Sequence, residues 1–362
     1  MKRLSLGYRP WRWSLLTVAA LPLLAFDRGC VTAPRQDTLT TAATSSVQGH
    51  IGEFDSGTGN FVQFVPGWAR LRVNAGGFLP WVTTNADKLW SQSVPLPLGV
   101  NTVRGETWRV VSGSVVTGNV DPFLLERKND LSNRGSQQVY FDFSDPDINA
   151  QLKAIASATL TGPLTAAQLN TFAADVKTEV KNFFASAYSC NAVTVVNAPG
   201  ADVHTVLVHG YDSCSLYGQS PGDYKNLTKA QTTDLYVGTF KCVMVDDGQL
   251  LGNTPAALSD SLATRVRDVG TAIGRTAAHE VGHSLGLTAD GSLLHGCEGW
   301  HNCEAYDDAN PSDRFDTGHH IMDPGPKSPL YARIGQANPL TRSPRRPVFE
   351  AYGRSYLEII HP

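Results

Sequence analysis

Residues 276–287 read TAAHEVGHSLGL, and the chemistry this stretch offers is metal chemistry. Side chains four apart on a helix lie one above the other on the same face, so His279 and His283 would present two imidazoles to one ion. Zn2+ accepts neutral imidazole nitrogens at about 2.0–2.1 Å, and catalytic zinc sites take three protein ligands plus a water. Glu280 is turned about 100° around the helix axis from His279. That puts its carboxylate beside the water rather than on the ion, where it can act as general base on a water the metal has acidified. The residue types and their spacing therefore point to hydrolysis by a metal-activated water.

A site of this kind needs a rigid helix. Val266, Val269, Ile273, Ala277 and Val281 keep a spacing of three or four, which predicts one helix over about 259–287. A second helix is predicted over 164–188, with Thr165 as N-cap and Leu169, Phe172, Val176, Val180 and Phe183 on its apolar face. The runs VYFDFSD (139–145), AVTVVNA (192–198), VHTVLVHGY (203–211) and DLYVGTFKCVMV (234–245) read as strands. Together they predict an α+β domain, a mixed sheet with helices packed on it. The DLYVGTFKC portion is a candidate edge strand for an extended substrate. His204 and His209 are five apart, so on a strand they face opposite sides and do not share an ion.

Two further features accompany the histidine pair. Gly286 follows His283 by three residues, as suits a helix that must stop abruptly in a left-handed turn. HHIMDPG at 319–325 places Met322 in a turn, in a chain with only three methionines. HEVGHSLGL followed by IMDPG resembles the metzincin clan of zinc metallopeptidases, whose pattern is HExxHxxGxxH with a later Met-turn. The resemblance implies a zincin-like catalytic domain over 139–362, with a long active-site helix and with Met322 beneath the metal without ligating it. It also implies a third zinc ligand three residues past the glycine, but that position is Ala289. The candidates in its place are His301 in GWHNC, the alternative His295 in LLHGC, and Asp290, one residue late. Cys297 and Cys303 enclose only five residues, and a disulfide between them would stiffen the loop around His301. His319 and His320 read as residues carried by the Met-containing turn. Asp307, Asp308, Asp313 and Asp316 fit no EF-hand spacing and read as a solvated acidic loop.

The remainder of the chain sets the context. Lys2, Arg3, Arg9 and Arg12 precede the apolar run WSLLTVAALPLLAF at 13–26, too short for a comfortable membrane span but suited to a secretory signal peptide over 1–33. Export makes paired cysteines the expectation. If Cys30 leaves with the signal, one of Cys190, Cys214 and Cys242 is left unpaired. A lipoprotein anchor at Cys30 is the less favoured alternative, because FDRG before it lacks the expected small and aliphatic residues. Residues 34–50, rich in Thr, Ser and Ala, read as a linker. From 51 to 127 short β-prone runs alternate with turn residues, predicting a small all-β, sandwich-like domain. LRVNAGG and VPLPLGVNTV within it resemble bacterial immunoglobulin-like modules; a β-rich pro-segment is the other reading. The polar stretch 125–138 marks the domain boundary.

With a formal net charge of −3 and no long run of one sign, nothing suggests a polyanion-binding surface, and nucleic acid is not an expected partner. The expectation is thus a secreted or cell-surface monomer with no membrane span after signal removal, acting as a zinc-dependent endopeptidase on protein or peptide substrate. Two readings of other classes stand beside it. One is a zinc-holding but inactive binding protein; the other is an adhesion or carbohydrate-binding protein led by the β-rich module.

Overall fold

The structure is a computed structural model that describes residues 14–15, 38–54, 61–111, 113–211, 214–246, 261–288, 301, 320–322, 330–334, 349 and 351–362. It is an α+β protein with several sheets, and the chain divides into two units between Asp130 and Leu131.

The first unit is built of strands. They are β1 (Ser14–Leu15), β2 (Thr38–Thr40), β3 (Thr44–Phe54), β4 (Phe61–Val65), β5 (Trp68–Val73), β6 (Val82–Thr83), β7 (Leu89–Pro95), β8 (Gly99–Val111) and β9 (Ser114–Arg127). One sheet runs β1-β9-β8-β5-β6 with β2 also on β9, and a second runs β4-β3-β7. Alternation puts Trp90, Gln92 and Val94 of β7 inward, and these meet Val47, Ile51, Leu71, Val103 and Val120 in one shared core. Residues 38–40 and 44–54 are strands, which corrects the linker expected over 34–50. The period-2 pattern there is carried inward by Ser45, Val47, Gly49 and Ile51, and small or hydroxylated residues at half of the buried positions hide it from a hydropathy reading.

The second unit carries the histidine pair. Its sheet contains β10 (Gln137–Asp142), β11 (Val193–Val196), β12 (Val203–His209), β13 (Gly218–Gln219) and β14 (Thr232–Tyr236), in the order β11-β10-β12-β14-β13. All neighbours are parallel except β13, which runs antiparallel to β14 at the edge. The helices are α1 (Asp147–Thr159), α2 (Ala166–Ala187), α3 (Val237–Lys241), α4 (Leu262–Leu285), α5 (Leu330–Arg333) and α6 (Ala351–Ile360). Thr165 caps α2 through a reciprocal pair with Gln168, satisfying two of the amides that a helix start leaves open. α1 is not anticipated by the sequence reading, although Ile148, Leu152, Ile155 and Ala156 are spaced for one buried face.

DLYVGTFKCVMV does not form one strand. Asp234–Tyr236 ends β14, which lies inside the sheet between β12 and β13, and the chain then turns into α3 and a π-helical turn at Cys242–Asp246. The edge is β13 instead. Cys242 faces Cys214 from that turn and the two are disulfide-bonded, with Cα atoms 5.5 Å apart. Cys190 is also disulfide-bonded, so none of these three cysteines is unpaired. Among the described residues no helix is long and apolar enough to cross a membrane.

Candidate metal centre

α4 carries the site, and its burial differs from the one-faced helix that the spacing suggests. Every residue from Asp268 to Leu285 is buried, the polar face included. The helix starts at Ser261, whose hydroxyl accepts the amide of Thr264 at 3.2 Å. It packs against α2, β13 and β14, and the Tyr188 hydroxyl at the end of α2 donates to the carbonyl of Ala278 at 2.8 Å. Gly286 ends it in the left-handed conformation, φ 86°.

On the last two turns His279 and His283 set their Nε2 atoms 3.1 Å apart, with ring centroids 4.7 Å apart. His301 joins them, its ring centroid 5.1 Å from each. One ligating atom from each of the three lies within 4.8 Å of the others, close enough to hold a metal ion. Tetrahedral bonds of about 2.0–2.1 Å put ligand atoms about 3.3 Å apart, so the His279–His283 spacing fits that donor geometry. The His279 Nδ1–H donates to the carbonyl of Ile321 at 2.6 Å, which leaves the Nε2 lone pair for the site. His283 Nδ1 is buried and without a hydrogen-bond partner among the described residues.

Burial, reinforced by the other imidazoles, pushes His279 well below the ordinary histidine range and His283 down to about 3. Both rings are therefore neutral at pH 7, the form that ligates a cation. Glu280 is buried too. Desolvation raises its carboxyl to about 8, opposed by the positive charge of Arg333. Gly218 of the edge strand is what lets β13 come so close: a Cβ there would lie 2.6 Å from Glu280 Cγ.

The turn at 320–322 forms the floor. Arg275 Nη2 donates to the carbonyl of His320 at 2.5 Å, Ile321 receives His279, and Met322 is fully buried. Met322 presses on the helix at Gly282, where a Cβ would sit 2.6 Å from its Sδ. Arg333 closes another side, donating to Thr276 Oγ1 at 3.3 Å with its guanidinium 4.1 Å from the Tyr217 ring centroid.

Of the residues singled out from the sequence, His279, Glu280, His283, His301 and Met322 thus lie together. His295, Asp290, His319, the acidic residues 307–316 and the Cys297–Cys303 pair lie outside the described residues. His204 and His209 take separate partners, Thr233 Oγ1 at 2.9 Å and Asp234 Oδ1 at 2.8 Å. Arg333, Gly218 and Tyr236 were not found by sequence reasoning, since none belongs to a spacing pattern. Tyr236 bonds to Tyr211 and lies near Asp234 and Glu280, and burial above all pushes its hydroxyl well up. No protein-family model matches this chain, and no curated protein matches it.

Proposed function

We propose that this chain is an exported zinc-dependent endopeptidase of the metzincin type, with His279, His283 and His301 holding Zn2+ in a zincin-like fold. The observation that carries the reading is the convergence of three imidazoles, ligating atoms within 4.8 Å of one another, beside a buried carboxylate on the same helical turn. Zn2+ in such a site would supply Lewis-acid polarisation of a carbonyl and an acidified water.

The protein's own groups do the rest. Glu280, desolvated and hence more basic than an exposed glutamate, takes a proton at its carboxylate and delivers it to the leaving nitrogen. Arg333 faces the same carboxylate with fixed positive charge and limits how far its basicity rises. The edge strand β13 offers backbone groups beside Glu280 with which an extended peptide can pair, and Gly218 keeps side-chain bulk out of that approach. The N-terminal charged and apolar segment supports export.

The test is metal content together with hydrolysis. Purified protein should contain one equivalent of zinc and digest casein or a peptide library, and Glu280→Gln should keep the zinc and lose turnover by about a hundredfold or more. Stoichiometric zinc without hydrolysis would make the chain a zinc-containing binding protein. Absence of zinc from both proteins would remove the reading.

A further inference from the structure

We propose that the outer face of β5, β8 and β9 in the first unit is a binding site for a neutral polysaccharide, an extended chain of equatorially substituted β-linked pyranoses. The proposal does not rest on the peptidase reading, because it concerns the other unit of the chain.

The sheet register builds the site. Cross-strand pairing places Trp68 opposite Trp108 and Trp108 opposite Thr117 on one rung, and Arg70 opposite Glu106 and Glu106 opposite Asn119 on the next. Side chains alternate along a strand, so these two rungs share one face while Ala69, Leu71, Val103 and Val120 fill the core on the other. Trp68 and Trp108 are stacked, 3.8 Å between centroids and 6° between planes. Trp81, just before β6, meets Trp108 edge-on at 6.1 Å and 87° and is 38% exposed. Trp81 and Trp108, at right angles to each other, line a cavity of about 410 Å³, within the usual range for ligand sites, and Trp68 supports Trp108 by stacking on it.

Polar groups sit along the same cavity. Arg70 donates to Glu106 Oε2 from Nη2 at 2.6 Å and from Nε at 3.0 Å, with its guanidinium 4.4 Å from the Trp81 ring centroid. Both bonds fall on Oε2, so Oε1 of Glu106 keeps its capacity to accept. The ion pair is about one-third exposed on each side and carries no net charge. Thr117 and Asn119 add an exposed hydroxyl and amide.

Cross-strand aromatic pairing alone would stabilise the sheet. It does not account for a third indole brought from outside the three strands, for partly exposed rings on the solvent side, or for the paired charges at their edge. A pyranose with equatorial substituents matches this mixture. Its axial C–H groups give an apolar face that lies on an indole, and its hydroxyls, at the ring edge, both donate and accept. The paired charges beside the indoles suit a neutral sugar, because an acidic one would bring its charge against Glu106; Arg72 and Arg104 form the next rung of the same face, so the acidic competitor is the decisive control. Bound to such a chain, the first unit would hold the rest of the protein at a glycan-rich surface.

The experiment uses the full chain and its Glu280→Gln form, titrated with hexasaccharides of β-1,4-linked glucose and of β-1,4-linked N-acetylglucosamine. A uronic-acid hexasaccharide and an unrelated peptide serve as competitors, and the readouts are tryptophan fluorescence and calorimetry. The expected result is saturable binding of at least one neutral hexasaccharide, equal in both forms and weakened about tenfold or more by Trp81→Ala, the scale for loss of one aromatic anchor. Thr117→Arg, at an exposed position on the Trp108 rung, fills the cavity without touching the core and should abolish binding with thermal stability unchanged. Binding that survives Thr117→Arg, preference for the acidic sugar or the peptide, or no binding of either neutral hexasaccharide would overturn the proposal. Loss of hydrolysis in Glu280→Gln with sugar binding intact separates this site from the metal centre.

Discussion

His279 and Ile321, 42 residues apart, are joined by a 2.6 Å hydrogen bond in which the imidazole Nδ1–H donates to the backbone carbonyl. The bond makes the turn at 320–322 part of the candidate metal centre, because it fixes which nitrogen of His279 faces His283 and His301. Met322 supports the same turn from within, packed on Gly282 one helical turn beyond His279.

Truncating that support should loosen the centre. Met322→Ala removes a fully buried side chain and should cost about 2–5 kcal/mol, whereas Met322→Leu conserves volume and should cost less than about 1.5 kcal/mol. Urea midpoints of both variants, with zinc affinity alongside, provide the check. An alanine variant as stable as wild type would mean that the turn is held without Met322.

Gly286→Ala faces two penalties at once. The position has φ 86°, and an added Cβ would lie 2.5 Å from Tyr356 Oη and 2.7 Å from the carbonyl of Asp223. Left-handed strain for a residue with a Cβ is of order 1 kcal/mol, and backbone cannot yield as a flexible side chain does, so a total above about 2 kcal/mol is expected. The Tyr356 hydroxyl donates to the carbonyl of Leu285 and accepts from the amide of Lys225, so Tyr356→Phe should show part of the same loss. Thermal midpoints within about 1 °C of wild type for Gly286→Ala would contradict this account of the helix end.

Acid should destabilise the protein through His204. The ring is buried against Thr233, and desolvation lowers its pKa from the usual 6.5 to about 4. Between those values the unfolded chain binds a proton that the folded chain does not. Stability contributed by the neutral ring is therefore present above about pH 6.5 and lost as pH falls towards 4, by roughly 3 kcal/mol in all. Denaturant titrations at pH 7, 5.5 and 4.5 should show a shallower decline for His204→Gln than for wild type. Parallel curves would assign the acid sensitivity to other groups.

The Cys214–Cys242 bridge closes a loop of 28 residues that contains β13 and β14. Chain entropy alone gives such a cross-link about 3.5 kcal/mol. The double Cys214→Ser, Cys242→Ser variant should lose stability on that scale, with amide exchange at Gly218 and Gln219 accelerating before exchange in β10 or β12. Uniform acceleration across the sheet would show that the bridge does not act locally on the edge strand.

Much of the candidate metal centre is legible along the chain because it is local. One helical turn separates His279 from His283, the cap at Gly286 follows three residues later, and Thr165 with Gln168 marks the start of α2; each depends only on helical geometry. The linker expected at 34–50 fails where Ser45 and Gly49 take inward positions, since burial there is set by the partner strand and not by the residue's own hydropathy. The misplaced edge strand has a similar cause. DLYVGTFKC has the composition of a strand throughout, and only the pairing of β14 with both β12 and β13 decides where it stops and what lies outside it.

The sequence by itself determined the helical pair of imidazoles with its carboxylate, the abrupt end of that helix, and the alternating strands of the first unit, because all of these follow from periodicities within a few residues. That His301 lies beside the pair, which carbonyl sets the tautomer of His279, and that Arg333 and Gly218 flank Glu280 were decided only by tertiary structure. These contacts join residues 18 to 62 positions apart in the chain, where no local rule operates and the path of the intervening backbone sets the distance.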